Sequence, residues 1–194
     1  MAITPLNIFP VFIGTLAGSG ILGVSYPQMA LALTNSFVTY ANIVAVTTVD
    51  VGTLGVGVGN GGGVFLSNTV LSASLVSSFA SATIVGPSSP QLIAAISEGV
   101  SLSLLQANIV TSNPSVGVGG GSVSILPNPL LSIPAFITGF LSAALLGSQS
   151  IKLATAIAEG LDQAILSATG AVIITPIGST SNSPSSGFGI GKLE

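Results

Sequence analysis

Of the 194 residues only 4% are charged, giving a formal net charge of −3, against roughly 25% charged residues in an average soluble domain. Arg, His, Cys and Trp are absent; the cations are Lys152 and Lys192 and the acids are Asp50, Glu98, Glu159, Asp162 and Glu194. That inventory excludes phosphate-backbone recognition, which needs a basic face, as well as disulfides, thiolate metal sites and imidazole-driven nucleophiles.

From the N-terminus, Met1 to Pro10 has no basic n-region before its apolar stretch and does not read as a signal peptide. Ile3 to Phe37 aligns without gaps on Leu66 to Val100, and Leu66 to Val100 aligns likewise on Pro127 to Leu161. The alignment places Gly23 on Gly86 and Gly147, Phe79 on Phe140, Glu98-Gly99 on Glu159-Gly160, and Asn35 on Glu98. Each copy continues into a β-branched run (Ala41 to Val44, Ala107 to Val110, Ala171 to Ile174) and then a glycine alternation (Gly55 to Gly59, Val116 to Gly119, Gly187 to Gly191). We read three tandem units, 1–65, 66–126 and 127–194, a period of about sixty residues that marks a repeat architecture.

Within a unit, Thr69 to Val85 and Leu130 to Leu146 are long, apolar and rich in small residues, which predicts a helix. Asn68 suits its N-cap, Pro129 its first turn, and Gly86 and Gly147 its C′ position. Ser88-Ser89-Pro90 opens a second helix, with Leu92, Ile96, Val100 and Leu104 at helical spacing. Ala107 to Thr111 and the Val-Gly alternation predict two strands, the second with a bare glycine face. The expected fold class is therefore α+β, three tandem α-α-β-β repeats forming a pseudo-threefold or short solenoid body.

Candidate chemistry is sparse. Gly57 to Gly62 satisfies G-x-G-x-x-G, but a dinucleotide site needs that turn between strand and helix and an acid some way downstream, and Val76 to Thr83 holds none. Glu98 and Glu159 would be the acids for proton transfer or for a cation such as Ca²⁺. The simpler reading puts them on an exposed helix face, each followed by a glycine that permits close packing. Tyr26 and Tyr40 are candidates for a carbohydrate or base-stacking surface, whereas Phe79 and Phe140 sit at core spacing. The expectation is no catalytic, cofactor-binding or metal site, no cofactor, and no enzymatic activity.

A chain so poor in charge must cover its surface in an assembly, in a membrane or under a dense coat of Ser, Thr and Asn. The first of these points to a self-assembling structural subunit whose partners are copies of itself and other structural proteins. With its charge-poor Ser/Gly/Ala-rich units and Val-Gly runs such as Gly55 to Gly63, the chain resembles structural proteins of tailed bacteriophage virions. The resemblance implies a capsid, neck or tail component. The alternatives are a membrane-inserting or pore/ejection protein, because Ile8 to Val24, Val70 to Val85 and Leu130 to Leu146 are uncharged, and an extracellular filament subunit. Against insertion stand the serines of the middle segment and the lack of basic loops and aromatic belts. Neither nucleic acid nor a small-molecule ligand is expected.

Overall fold

The computed structural model describes residues 4–42, 45–53, 56–61, 63–64, 68–105, 108–113, 119–167, 170–177 and 185–192, with side chains described for 4–42, 69–105 and 126–166. Six helices carry the described side chains: α1 (Pro5–Gly18), α2 (Tyr26–Ala41), α3 (Asn68–Ser81), α4 (Ser89–Leu105), α5 (Pro129–Ser142) and α6 (Ser148–Ser167). Prolines stand in the first turns of α1, α2, α4 and α5, where the missing N–H would have had no helical partner. At α5 the Asn128 side chain caps the helix, accepting from the Leu130 N–H at 3.2 Å. Pro10 and Pro134 fall inside α1 and α5. Both are exposed, so the carbonyls they leave unpaired face water.

The helices form three hairpins, α1–α2, α3–α4 and α5–α6, and each hairpin also packs on the next: α2 on α3, α4 on α5, and α6 back on α1. The core is one cluster built from all six, centred on Phe12, Leu16, Leu33, Leu75, Phe79, Ile96, Phe136 and Ile157, with the Phe12 and Phe37 rings stacked 5.3 Å apart. Three buried hydroxyls do not disturb it, because they bond within their own helices: Thr34 Oγ1 donates to the Ala30 carbonyl at 2.7 Å, Ser36 Oγ to Ala32 at 2.8 Å, and Ser97 Oγ to Ile93 at 2.9 Å. Part of the serine and threonine content is therefore interior, not coat.

This arrangement corrects the expected α+β body of α-α-β-β repeats. Where backbone and side chains are both described, the regular structure is six helices, and of the extended segments only the last residue of one, Leu126, is included. The β-branched and Val-Gly runs predict strands, the second with a bare glycine face suited to close approach of another backbone. The described core closes helix on helix instead, and every side chain in it comes from a helix. The short-solenoid alternative fails on the same ground, since α6 packs on α1 and closes the array, whereas a solenoid stays open. Between the hairpins only the backbone is described. It runs extended over β1 (Ala45–Thr53), β2 (Val56–Gly61), β3 (Gly63–Val64), β4 (Asn108–Asn113), β5 (Gly119–Leu126), β6 (Gly170–Ile177) and β7 (Ser185–Lys192). These segments pair antiparallel in the order β2-β4-β5-β6-β7-β1-β3, with β1 also against β2. Most of the expected Val116 to Gly119 alternation lies outside the described residues, as do the side chains that would face the glycines of β2 and β7.

Helix ends depart from expectation in an instructive way. The first helix of the second and third hairpins stops at Ser81 and Ser142, short of Val85 and Leu146. Gly86 and Gly147 are not the C′ residues. That position belongs to Gly20, Thr83 and Ala144, with φ of +75°, +57° and +57°. At each, the C′ N–H reaches the C2 carbonyl (Gly20 to Ala17, Thr83 to Ala80, Ala144 to Leu141) and the next N–H reaches C3 (Ile21 to Leu16, Ile84 to Phe79, Leu145 to Phe140), all at 2.9–3.1 Å. This is the Schellman arrangement. Gly23, Gly86 and Gly147 share another role, each offering its carbonyl to the N–H three residues on, at Tyr26, Ser89 and Ser150, over 3.3, 3.0 and 3.1 Å.

Candidate functional site

The Schellman turns determine what the hairpin tips present. Ile21, Ile84 and Leu145 fold inward against the core. The following residue is thereby turned outward, and Leu22, Val85 and Leu146 are 70%, 73% and 73% exposed. Val24 adds a fourth apolar side chain at 93%. Neither 19–28, 82–91 nor 143–150 contains a charged residue. Beside these tips lies an open hollow of about 490 Å³ whose lining comes from all three hairpins, including Ser25 and Gln28 from the first, Thr83 and Leu92 from the second, and Phe140 and Leu153 from the third. The region offers shape and apolar surface but no acid, base or nucleophile pair.

Glu98, on α4, is half-buried, and Glu159, on α6, is exposed, as is Asn35 on α2. Glu159 borders a separate open hollow with Thr15 and Gln163 between α1 and α6. Among the described residues there is no group of three or more His, Cys, Asp or Glu that could hold a metal ion. The glycines after the two glutamates do take the close contacts expected of them. A Cβ on Gly99 would stand 2.6 Å from the Phe136 ring, and one on Gly160 would stand 2.6 Å from the Phe12 ring. Gly139 adds to the α4/α5 seam, where its Cβ would meet the Ala95 carbonyl oxygen at 2.6 Å. These positions serve the helix crossings.

The aromatic candidates divide. Tyr40 is buried in the core, and burial pushes its phenol up to about 12. Tyr26 is half-buried against the same cluster, so the two form no open stacking platform. Phe79 and Phe140 are core residues, as their spacing suggested. In the G-x-G-x-x-G stretch, Gly57 to Gly61 lies within β2, with Gly57 to Asn60 paired on both sides, and not at a strand-to-helix turn; Gly62 lies outside the described residues.

One acid, Asp162, belongs to no motif in the sequence. In the structure it is 4% exposed on α6, its Oδ2 lies 2.5 Å from Ser132 Oγ of α5, and its Oδ1 is buried without a hydrogen-bond partner. A signal was present: Asp162 follows Ala158 by four and precedes Ile165 by three, on the apolar stripe of α6. Compared with known proteins, the chain matches no family model, no curated protein and no solved structure.

Proposed function

We propose that the protein is a non-enzymatic, self-assembling structural subunit, with a virion component (capsid, neck or tail) as its setting. The observation that carries this reading is the trio Leu22, Val85 and Leu146, displayed to solvent at matching turns of three hairpins with no charge among them. A soluble monomer seldom leaves apolar side chains displayed together without using them for contact, and a net charge near −3 offers little repulsion between copies. The tips are the natural contact surface, and the virion setting rests on the composition and repeated glycine runs. Membrane insertion has less support, because no helix among the described residues is long and apolar enough to cross a membrane. α1, α3 and α5, each 14 residues, reach about 21 Å against a hydrocarbon core of about 30 Å.

Sedimentation of the protein at micromolar concentration tests the reading. The unaltered chain should form large soluble particles, and Leu22→Asp with Val85→Asp and Leu146→Asp should disperse them to monomer. Since all three side chains are mostly in water, melting should shift little, each substitution costing about 0.5 kcal/mol or less. A stable monomer of the unaltered chain would sink the proposal.

A further inference from the structure

We propose that Asp162 is a proton-sensitive latch, neutral while the third hairpin is closed, whose ionisation loosens the first turn of α5 from α6. The geometry of Ser132 carries the argument. Its Oγ lies 2.5 Å from Asp162 Oδ2 and 3.2 Å from the Asn128 carbonyl oxygen. A serine hydroxyl has one proton to give. If Asp162 were a carboxylate, both neighbours would be acceptors competing for that proton, and one contact would be empty. If Asp162 carries a proton on Oδ2, both are filled: Asp162 donates to Ser132 Oγ, and Ser132 donates to Asn128. The resulting relay ends at the residue that caps α5, whose carbonyl also receives the N–H groups of Leu131 and Ser132, both at 2.9 Å.

The surroundings favour the neutral acid for a second reason. Oδ1 is buried with no hydrogen-bond partner, and an unpartnered carbonyl-type oxygen is far less costly to bury than half of a carboxylate's charge. The elements packed on α6 are α1, α4, α5 and β5. By sequence α1, α5 and β5 carry no titratable or charged residue, α4 carries Glu98, and α6 itself carries Lys152 and Glu159. Burial pushes the Asp162 carboxyl above the ordinary aspartate range; the Ser132 contact pulls the other way, and the charge of Glu159 pushes it up again. The folded chain therefore holds this proton more tightly than the unfolded chain. The resulting stability is complete below the ordinary aspartate pKa and is lost as pH rises through the raised value.

Asp50 and Asp162 are the only aspartates, so protein labelled with ¹³C at the aspartate carboxyl gives two signals, and Asp50→Asn leaves the one of interest. It should titrate above the ordinary aspartate range, with amide exchange at Leu130 to Ser132 accelerating through the same transition. In denaturant titrations the unfolding constant of the unaltered chain should rise, relative to Asp162→Asn, by up to about tenfold per pH unit across that window. The asparagine keeps a donor for Ser132 but cannot ionise. A carboxyl titrating in or below the ordinary range, or the same pH dependence in both proteins, would overturn the latch. If Asp162→Asn does not fold, the carboxyl titration alone decides.

Discussion

At the α1/α6 seam Phe12 lies on Gly160, and at the α5/α4 seam Phe136 lies on Gly99, whereas at the α3/α2 seam the matching positions hold Leu75 and Ser36. Leu75 is fully buried, Ser36 is buried with its hydroxyl folded onto its own helix, and Ser74 Oγ approaches the Ser36 carbonyl at 3.4 Å, so this seam too is closed. A large ring meets a position with no side chain at two seams, and at the third the matching positions hold a smaller aliphatic group and a small polar one. Interiors packed at crystal-like density allow little else, because an added methylene must displace something and a missing one leaves a void. The three seams therefore reach the same closure by different divisions of volume. The α4/α5 seam is the tightest, as Gly139 adds a second bare position against the Ala95 carbonyl.

The largest way to break this comparison is to remove the knobs. Phe136→Ala should cost about 3–5 kcal/mol, since the rigid glycine-lined crossing cannot collapse into the space left behind. Leu75→Ala should cost less, about 2–4 kcal/mol, having less volume to lose. Chemical denaturation of the two variants checks the ranking, and equal costs would mean that the seams are not specialised. Filling the holes comes next. In Gly99→Leu the new Cβ would already overlap the Phe136 ring, and overpacking of this kind should cost about 1–3 kcal/mol or more. Gly14, with nothing within 4 Å of its Cβ position, is the control: Gly14→Ala in α1 should stabilise by up to about 1 kcal/mol.

A smaller effect separates the first hairpin from the other two. All three turns hold their C′ residue at positive φ, but only the first uses glycine; Thr83 and Ala144 adopt the same conformation with a Cβ. The left-handed region costs an ordinary L-residue roughly 1–2 kcal/mol. Ala144→Gly should thus raise stability by about 1 kcal/mol and Gly20→Ala should lower it by about the same amount, as thermal melts of the pair would show.

The same turns explain where the sequence could and could not be read. Helical spacing marked α4, long apolar runs rich in small residues marked α3 and α5, and the gap-free repeat carried α1, α2 and α6. The glycine after each glutamate was legible as a packing position because a bare Cα on an apolar face has few other uses. The helix ends were misplaced because glycine is the usual mark of a left-handed C′, and Gly86 and Gly147 stood nearby while Thr83 and Ala144 gave no such mark. Ring closure of α6 on α1 is a long-range fact that no local pattern encodes. The α+β class failed because β-branched and Val-Gly runs state a backbone preference without stating whether the core needs them. Asp162 was hidden by its type, since an aspartate is taken for surface unless its place on the apolar stripe is weighed first.

The finest test exchanges one kind of seam for another. Ser36→Gly alone removes a buried side chain and its 2.8 Å bond to the Ala32 carbonyl, and places glycine inside a helix, so it should cost about 1 kcal/mol. Leu75→Phe alone forces a larger ring against Ser36 and should cost about 1–3 kcal/mol. Together they recreate the pairing already present at Gly99 with Phe136 and at Gly160 with Phe12. If the seams are alternative solutions to one volume constraint, the double variant should fall within about 1 kcal/mol of the unaltered chain, a coupling of about 1–3 kcal/mol between neighbours. Additive losses in that cycle would mean that the backbones of α2 and α3 cross at a distance of their own, and that Leu75 and Ser36 answer to that spacing alone.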